Sequence, residues 1–333
     1  MFDKAVQNII KNCLRLSTKD RFVIVSDIAR QDIGKSIYEK AKEVCETKIF
    51  FIEEFTKRPA KEFPTAFEKD ITKFMPTASL YAATGQEGEL PLFRSKLIAL
   101  LTKNLNCRHA HMIGVDEKIM ETGMSMDYSL IYKASHKLYE ILKNATEIEV
   151  KDPHGTSLKA NFSKEIKWKA DDGVPLDNGR WCNLPAGEVF TCPVSVNGQI
   201  VAWELGDYFS EKYGVLKNPI MIYIKNSFIT NVKSKNKKLK EEFESYVKKY
   251  SNGNRVGEFA IGCLMGLEKL IGNLLQDEKF PGVHLAFGHP YPEMTGVQDW
   301  NCESHVDVIP LNVSAFVDGK EILKNRKFTI DLT

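Results

Sequence analysis

Residues 282–311, GVHLAFGHPYPEMTGVQDWNCESHVDVIPL, hold three of the chain's seven histidines. His305 and Asp307 stand one residue apart in SHVDVIPL. In a strand, side chains at i and i+2 share a face. An imidazole nitrogen and a carboxylate oxygen therefore project side by side from a run otherwise made of Val and Ile. An ionised carboxylate on such a face is costly unless a cation compensates it. A divalent metal does so, and mixed imidazole and carboxylate donors suit zinc, cobalt, manganese or iron.

Three further residues share that setting: His284 in GVHLAFG, Glu258 in RVGEFAIG and Glu188 in NLPAGEVFTCP. Each one alone is a weak signal. A single histidine in an apolar run is more often a hydrogen-bonded core residue, and a single glutamate at a strand's start is usually at the surface. The five together, all in strand-like contexts in the second half of the chain, predict a metal centre. His289 lies in the proline-bracketed HPYPEM loop, which suits a substrate-lining or surface role better than ligation. His109 and His111 form an H-x-H pair at strand spacing with no supporting donors nearby, and His136 and His154 read as structural. Cys302 is close to His305 in sequence, but nucleophile–base pairs normally come from distant segments. The chain has no G-x-G-x-x-G, no G-x-x-x-x-G-K-[ST], no G-x-S-x-G and no H-E-x-x-H, so dinucleotide, triphosphate, serine-hydrolase and zinc-helix chemistries have no support.

The elements that must position these residues fall into two halves. RFVIVSD (21–27), IGKSIYEKAKEVC (33–45) and KIFFIEE (48–54) read as strand, helix and strand, the order of a parallel α/β layer. SLYAATG (79–85) and AHMIGV (110–115) extend it, with helices over LPLFRSKLIALLTKNLN and MDYSLIYKASHKLYEILKNA. After residue 145 the texture changes. EIEVKDPHGTSLKANFS alternates about a PHG turn, and GEVFTCPVSVNGQIVAWE reads as a second hairpin with NG at its centre. KNKKLKEEFESYVKKY (235–250) is a charged helix, and GEFAIGCLMGLEKLIGNLLQDEK reads as a short strand followed by a helix. The fold class expected is α+β: an α/β domain over residues 1–145 and a β-rich, metal-binding domain with attached helices over 146–333.

A net charge of +2 and the lack of a basic tail argue against a nucleic-acid partner. No apolar run reaches about 18 residues, so no membrane span is expected. Seven scattered cysteines with no C-x-x-C pair favour free thiols and a cytoplasmic location.

NLPAGEVFTCP, GEFAIG, the DEK-x-x-x-x-HLAFG segment and the final H-x-D, in that order, resemble the M29, or aminopeptidase T-like, family of metal-dependent aminopeptidases. The resemblance covers most of residues 130–333, including KDPHGTSLKANF, and extends to the N-terminal part in architecture only. It implies two adjacent divalent ions (Zn, Co or Mn), removal of N-terminal residues from peptides, and a homodimer. Its ligand positions fall on Glu188, Glu258, His284, His305 and Asp307, and its active-site tyrosine, seven residues past the first histidine, falls on Tyr291. In that chemistry Glu278 is the candidate general base. The loop between His284 and His305 is shorter than expected for those peptidases and carries two prolines. The two histidines and the aspartate also resemble a shorter relative, a non-haem iron dioxygenase that opens 2,5-dihydroxypyridine. That second chemistry needs one Fe(II) on His284, His305 and Asp307. Glu188 and Glu258 favour the first, since a one-iron site has no need of two more carboxylates. The substrate is accordingly a peptide or a small molecule.

Overall fold

RFVIVSD forms the strand Arg21–Ser26, and Glu46–Phe51, Ala78–Ala83 and Arg108–Ile113 pair around it, all parallel. The computed structural model describes residues 2–86, 88–175 and 177–333. The interior strand Ala78–Ala83 is buried along its whole length, as expected of a parallel sheet covered on both faces, while the edge strand Glu46–Phe51 is partly exposed. A fifth strand, Trp181–Asn183, joins the sheet edge by pairing with Arg108–Ile113. The chain divides into two compact units, the first made of 1–132 and 172–186, the second of 133–171 and 187–333. The chain thus leaves the first unit and returns to it for one strand. The overall content is a mixed α+β arrangement of one parallel and two antiparallel sheets. No helix among the described residues is long and apolar enough to cross a membrane.

The second unit contains an eight-stranded and a six-stranded antiparallel sheet. The PHG turn joins Glu147–Lys151 to Ser157–Asn161 as expected. The hairpin expected around NG does not form. Glu188–Thr191 belongs to the six-stranded sheet and Ser195–Ala202 to the eight-stranded one, with Asn197 and Gly198 inside the latter strand. Gly198 is there for space: at φ +128, a Cβ on it would meet the Ser157 carbonyl oxygen at 2.2 Å. The helix expected toward residue 279 shrinks to Leu274–Asp277. Gly266 and Gly272 both take positive φ, and the Asp277 carboxylate accepts from the backbone N–H of Ile271, Gly272 and Asn273. A side chain that captures three backbone donors leaves them unavailable to a helix.

The six-stranded sheet runs in the order Glu204–Leu205, His305–Ile309, Gly282–Gly288, Val256–Gly262, Glu188–Thr191 and Lys169–Asp171. One face is apolar apart from Thr191, whose hydroxyl donates to the Lys167 carbonyl. Val189, Phe259, Ile261, Leu285, Val306 and Val308 join the unit's core, which they share with Ile148, Leu158 and Ile222 of the larger sheet. The alternation therefore delivers every intervening residue to the other face. A bulge at Gly257 adjusts the register: Val256 pairs with Phe287, while Glu258 pairs with Ala286. Without that extra residue Val256 and Glu258 would share a face. The bulge sends Val256 to the core and leaves Glu258 opposite it. A Cβ on Gly257 would lie 2.1 Å from the Gly288 carbonyl oxygen. Gly257→Ala is therefore expected to lower stability by about 1–3 kcal/mol, as overpacking against backbone does. Denaturant unfolding checks this, and an unchanged midpoint would show that the bulge yields freely.

Candidate metal centre

Strand register brings the five predicted donors to one face of this sheet. Ala286 is flanked by Glu258 on one side and Asp307 on the other. His284 pairs with Ala260, His305 with Gly288, and Glu188 with Gly262. Each donor thus stands beside Ala or Gly, and these small partners leave room above the sheet for the long side chains to converge.

The convergence is close. His284 Nε2 lies 3.6 Å from Glu188 Oε2, 3.5 Å from Glu258 Oε1 and 3.8 Å from Asp307 Oδ1. His305 Nε2 lies 3.7 Å from Glu258 Oε2 and 3.6 Å from Asp307 Oδ1. Glu258 therefore turns one oxygen to each histidine. These spacings are too long for hydrogen bonds. They are near the ~3.4 Å between two donors that each sit about 2.1 Å from one tetrahedral ion. Donor atoms of Glu188, Glu258 and His284 all lie within 4.8 Å of one another.

Three of the atoms facing inward, Glu188 Oε2, His284 Nε2 and Asp307 Oδ1, are buried and have no hydrogen-bond partner among the described residues. Buried polar atoms are nearly always satisfied, so each exception needs an explanation. The two imidazoles carry the same message. Burial disfavours their charge, yet the surrounding carboxylates outweigh it and push His284 up to about 9 and His305 up to about 10. The cluster demands positive charge. The His305 Nδ1–H donates to the His289 carbonyl at 3.2 Å, which leaves Nε2 as the atom offered to the cluster. The residues present fit a divalent cation in donor type, spacing and charge.

The flanking residues were less legible. Lys279 is 1% exposed and its ammonium pairs with Glu188 Oε1 at 2.7 Å and with Glu278. Its position in QDEKFPG looks like a solvated turn, and nothing in the spacing signals a buried cation. Burial, opposed by Lys279 and reinforced by Glu188 and Asp307, raises Glu278 to about 8. Tyr291 sits in the left-handed region at φ 50, where its backbone N–H donates to His289 Nδ1 at 3.1 Å. Its ring centroid is 5.0 Å from that of His305 and 5.8 Å from that of Phe190. Burial and then the charges of Glu258, Asp307 and Glu278 push its phenol well above the ordinary range, so it stays protonated. His289 lines the same edge, 4.9 Å from the Tyr291 ring. His109 and His111 lie elsewhere, in the first unit, where His109 joins Ser79 at 2.8 Å and His111 at 3.1 Å. Burial lowers His109 to about 3, so it is a neutral core imidazole.

Comparison with known proteins gives two likenesses. The family model described as NicX: 2,5-dihydroxypyridine 5,6-dioxygenase matches residues 117–257. That stretch takes in Glu188 and ends one residue short of Glu258. No curated protein sequence matches. Among solved structures, 2,5-dihydroxypyridine dioxygenase from Pseudomonas putida KT2440 is similar with a TM-score of 0.70, at 14% identity over 99% of this chain and 97% of that one. Wild-type AmpT from Thermus thermophilus is similar with a TM-score of 0.71, at 16% identity over 99% of each chain. The chain shares the fold of both.

Proposed function

We propose that the protein is a two-metal hydrolase that removes N-terminal residues from peptides. The observation that carries this reading is the five-donor set in which Glu258 directs one oxygen to His284 and the other to His305. Glu188, Glu258, His284, His305 and Asp307 would together hold the ions. Bound there, the ions supply an acidified water and polarise the scissile carbonyl.

The chain's own groups divide the remaining work. Glu278, which burial raises to about 8 in the metal-free chain, would be driven to its carboxylate by bound cations and would then take the proton of an attacking water. Tyr291 keeps its proton and donates a hydrogen bond to the oxyanion. Lys279 holds Glu188 by one oxygen and leaves Oε2 turned to the cluster. His305 has 21% of its side chain exposed, while those of Glu188, Glu258, His284 and Asp307 have 8% or less. Substrate therefore approaches from the side of His305, Tyr291 and Phe190, where an apolar side chain finds aromatic edges.

A second reading is a mononuclear Fe(II) ring-opening dioxygenase built on His284, His305 and Asp307. The NicX family match is the observation that favours it. Metal analysis separates the two. We expect two ions per chain, and hydrolysis of amino-acid anilides or short peptides with a free N-terminus. Chelators should abolish it, and Zn²⁺ or Co²⁺ should restore it. One iron per chain, with oxygen uptake on 2,5-dihydroxypyridine and intact peptides, would establish the second reading instead.

Two substitutions test the roles. Tyr291→Phe should keep fold and metal content and lower kcat by on the order of 10²–10³, as loss of one oxyanion donor does. KM should hold, because a bond made in the transition state leaves ground-state binding intact. Wild-type turnover in this variant would reduce Tyr291 to a packing residue. Lys279→Met strands buried carboxylates and should cost about 3–5 kcal/mol of stability in metal-free protein. An unfolding midpoint equal to wild type would show that the ion pair with Glu188 is dispensable.

A further inference from the structure

Tyr291 holds a backbone conformation that its residue type and its neighbour both disfavour. It lies at φ 50 and ψ 61, in the left-handed region. A bulky side chain seldom takes that region, and a residue that precedes a proline is pushed toward extended backbone. Tyr291 is bulky and is followed by Pro292. Such a residue persists only where its surroundings over-determine it, and residues of this kind cluster at functional sites.

His289 and Thr295 supply those surroundings. The His289 Nδ1 accepts from the Tyr291 backbone N–H at 3.1 Å, and its ring stands edge-on to the Tyr291 ring with centroids 4.9 Å apart. Thr295 is buried, and its hydroxyl donates to the Pro290 carbonyl at 2.8 Å, with the Tyr291 carbonyl at 3.0 Å. The Thr295 carbonyl accepts from the Lys167 N–H at 2.8 Å, which anchors the turn to the chain entering the edge strand Lys169–Asp171. The main chain of His289 is fixed as well. Its N–H donates to the Ser304 carbonyl at 2.7 Å, and its carbonyl accepts from the His305 Nδ1–H at 3.2 Å. His289 thus grips Tyr291 through its ring and His305 through its backbone, and the Tyr291 ring rests 5.0 Å from that of His305.

We propose that His289 is a positioning residue, whose imidazole holds Tyr291 in the left-handed turn and so keeps the Tyr291 ring against His305 at the donor cluster. Asparagine at 289 places a carboxamide oxygen where Nδ1 lies and accepts the same bond, whereas leucine has similar bulk and cannot accept. Both substitutions lose the ring contact, so their difference isolates the bond to the Tyr291 N–H. Neither alters the main-chain bonds to Ser304 and His305, so metal content should match wild type in both.

The first readout is independent of any reaction. Fluorine NMR of the metal-free full chain, labelled throughout with fluorotyrosine, gives a resonance for Tyr291 that Tyr291→Phe removes. That resonance should keep its shift in His289→Asn and move toward the exposed tyrosines in His289→Leu. An unmoved resonance in His289→Leu would overturn the proposal. The second readout rests on the proposed function. With peptide substrate, kcat should fall by about 10–100-fold in His289→Leu, because a displaced catalytic group loses rate steeply. KM should stay within about 3-fold, and His289→Asn should recover most of the lost rate. A residue that acts through the phenol has little left to do once the phenol is gone. Adding His289→Leu to Tyr291→Phe should therefore change kcat by less than about 3-fold. Losses that multiply in the double variant, or equal rates for the Asn and Leu variants, would overturn the positioning role. If the fluorine spectra behave as expected and even wild type leaves peptides intact, the positioning stands and the hydrolase reading fails.

Discussion

Uncompensated negative charge on the inner face of one sheet is the constraint on which the second unit depends. Asp171, Glu188, Glu258, Glu278 and Asp307 gather where water is scarce, and a lone ionised carboxylate in such a place is strongly disfavoured. Among the described residues, the permanent positive charge paired within the group is the Lys279 ammonium. The two imidazoles respond by holding protons far above their ordinary range. Glu278 responds in the opposite sense, by favouring its neutral form. Glu204, nearby, is kept neutral in the same way. Both imidazoles, Glu278 and Glu204 thus adjust toward the same end, and a divalent cation meets the remaining demand most directly.

An antiparallel sheet is well suited to hold such a cluster. Its opposite face is packed into a core shared by two sheets, so the strands have little freedom to shift. The donors are attached to backbone that is itself hydrogen-bonded on both sides, and a site on rigid elements is more accurate than one on loops. Small residues at 260, 262, 286 and 288 complete the arrangement by leaving the space into which Glu and His reach.

The sequence carried much of this in advance, where period-two alternation and residue type agreed. The H-x-D spacing puts His305 and Asp307 on one face, and the apolar neighbours of His284, Glu258 and Glu188 identify their strands as buried. All five converge in the structure. Legibility failed where a local signal was overridden by tertiary packing. Asn197-Gly198 looks like a hairpin turn but serves a close approach between strands. The helical pattern before residue 279 yields to glycines and to a carboxylate that captures backbone donors. The burial and pairing of Lys279 have no signature in spacing or periodicity, because its partners are brought together by the fold. Chemistry is the least legible level: the same fold is found in a 2,5-dihydroxypyridine dioxygenase and in AmpT.

The two-faced character of the six-stranded sheet also governs how such a protein can change over evolutionary time. Inserting or deleting one residue inside Gly282–Gly288 or His305–Ile309 would exchange the donors with the core side chains, losing both at once. Residues 289–304 connect the ends of those two strands and carry Tyr291 and the prolines. Length changes there leave every donor in register. The connecting segment is therefore free to vary in length where the donor strands are not, so the entrance can be remodelled without disturbing the centre.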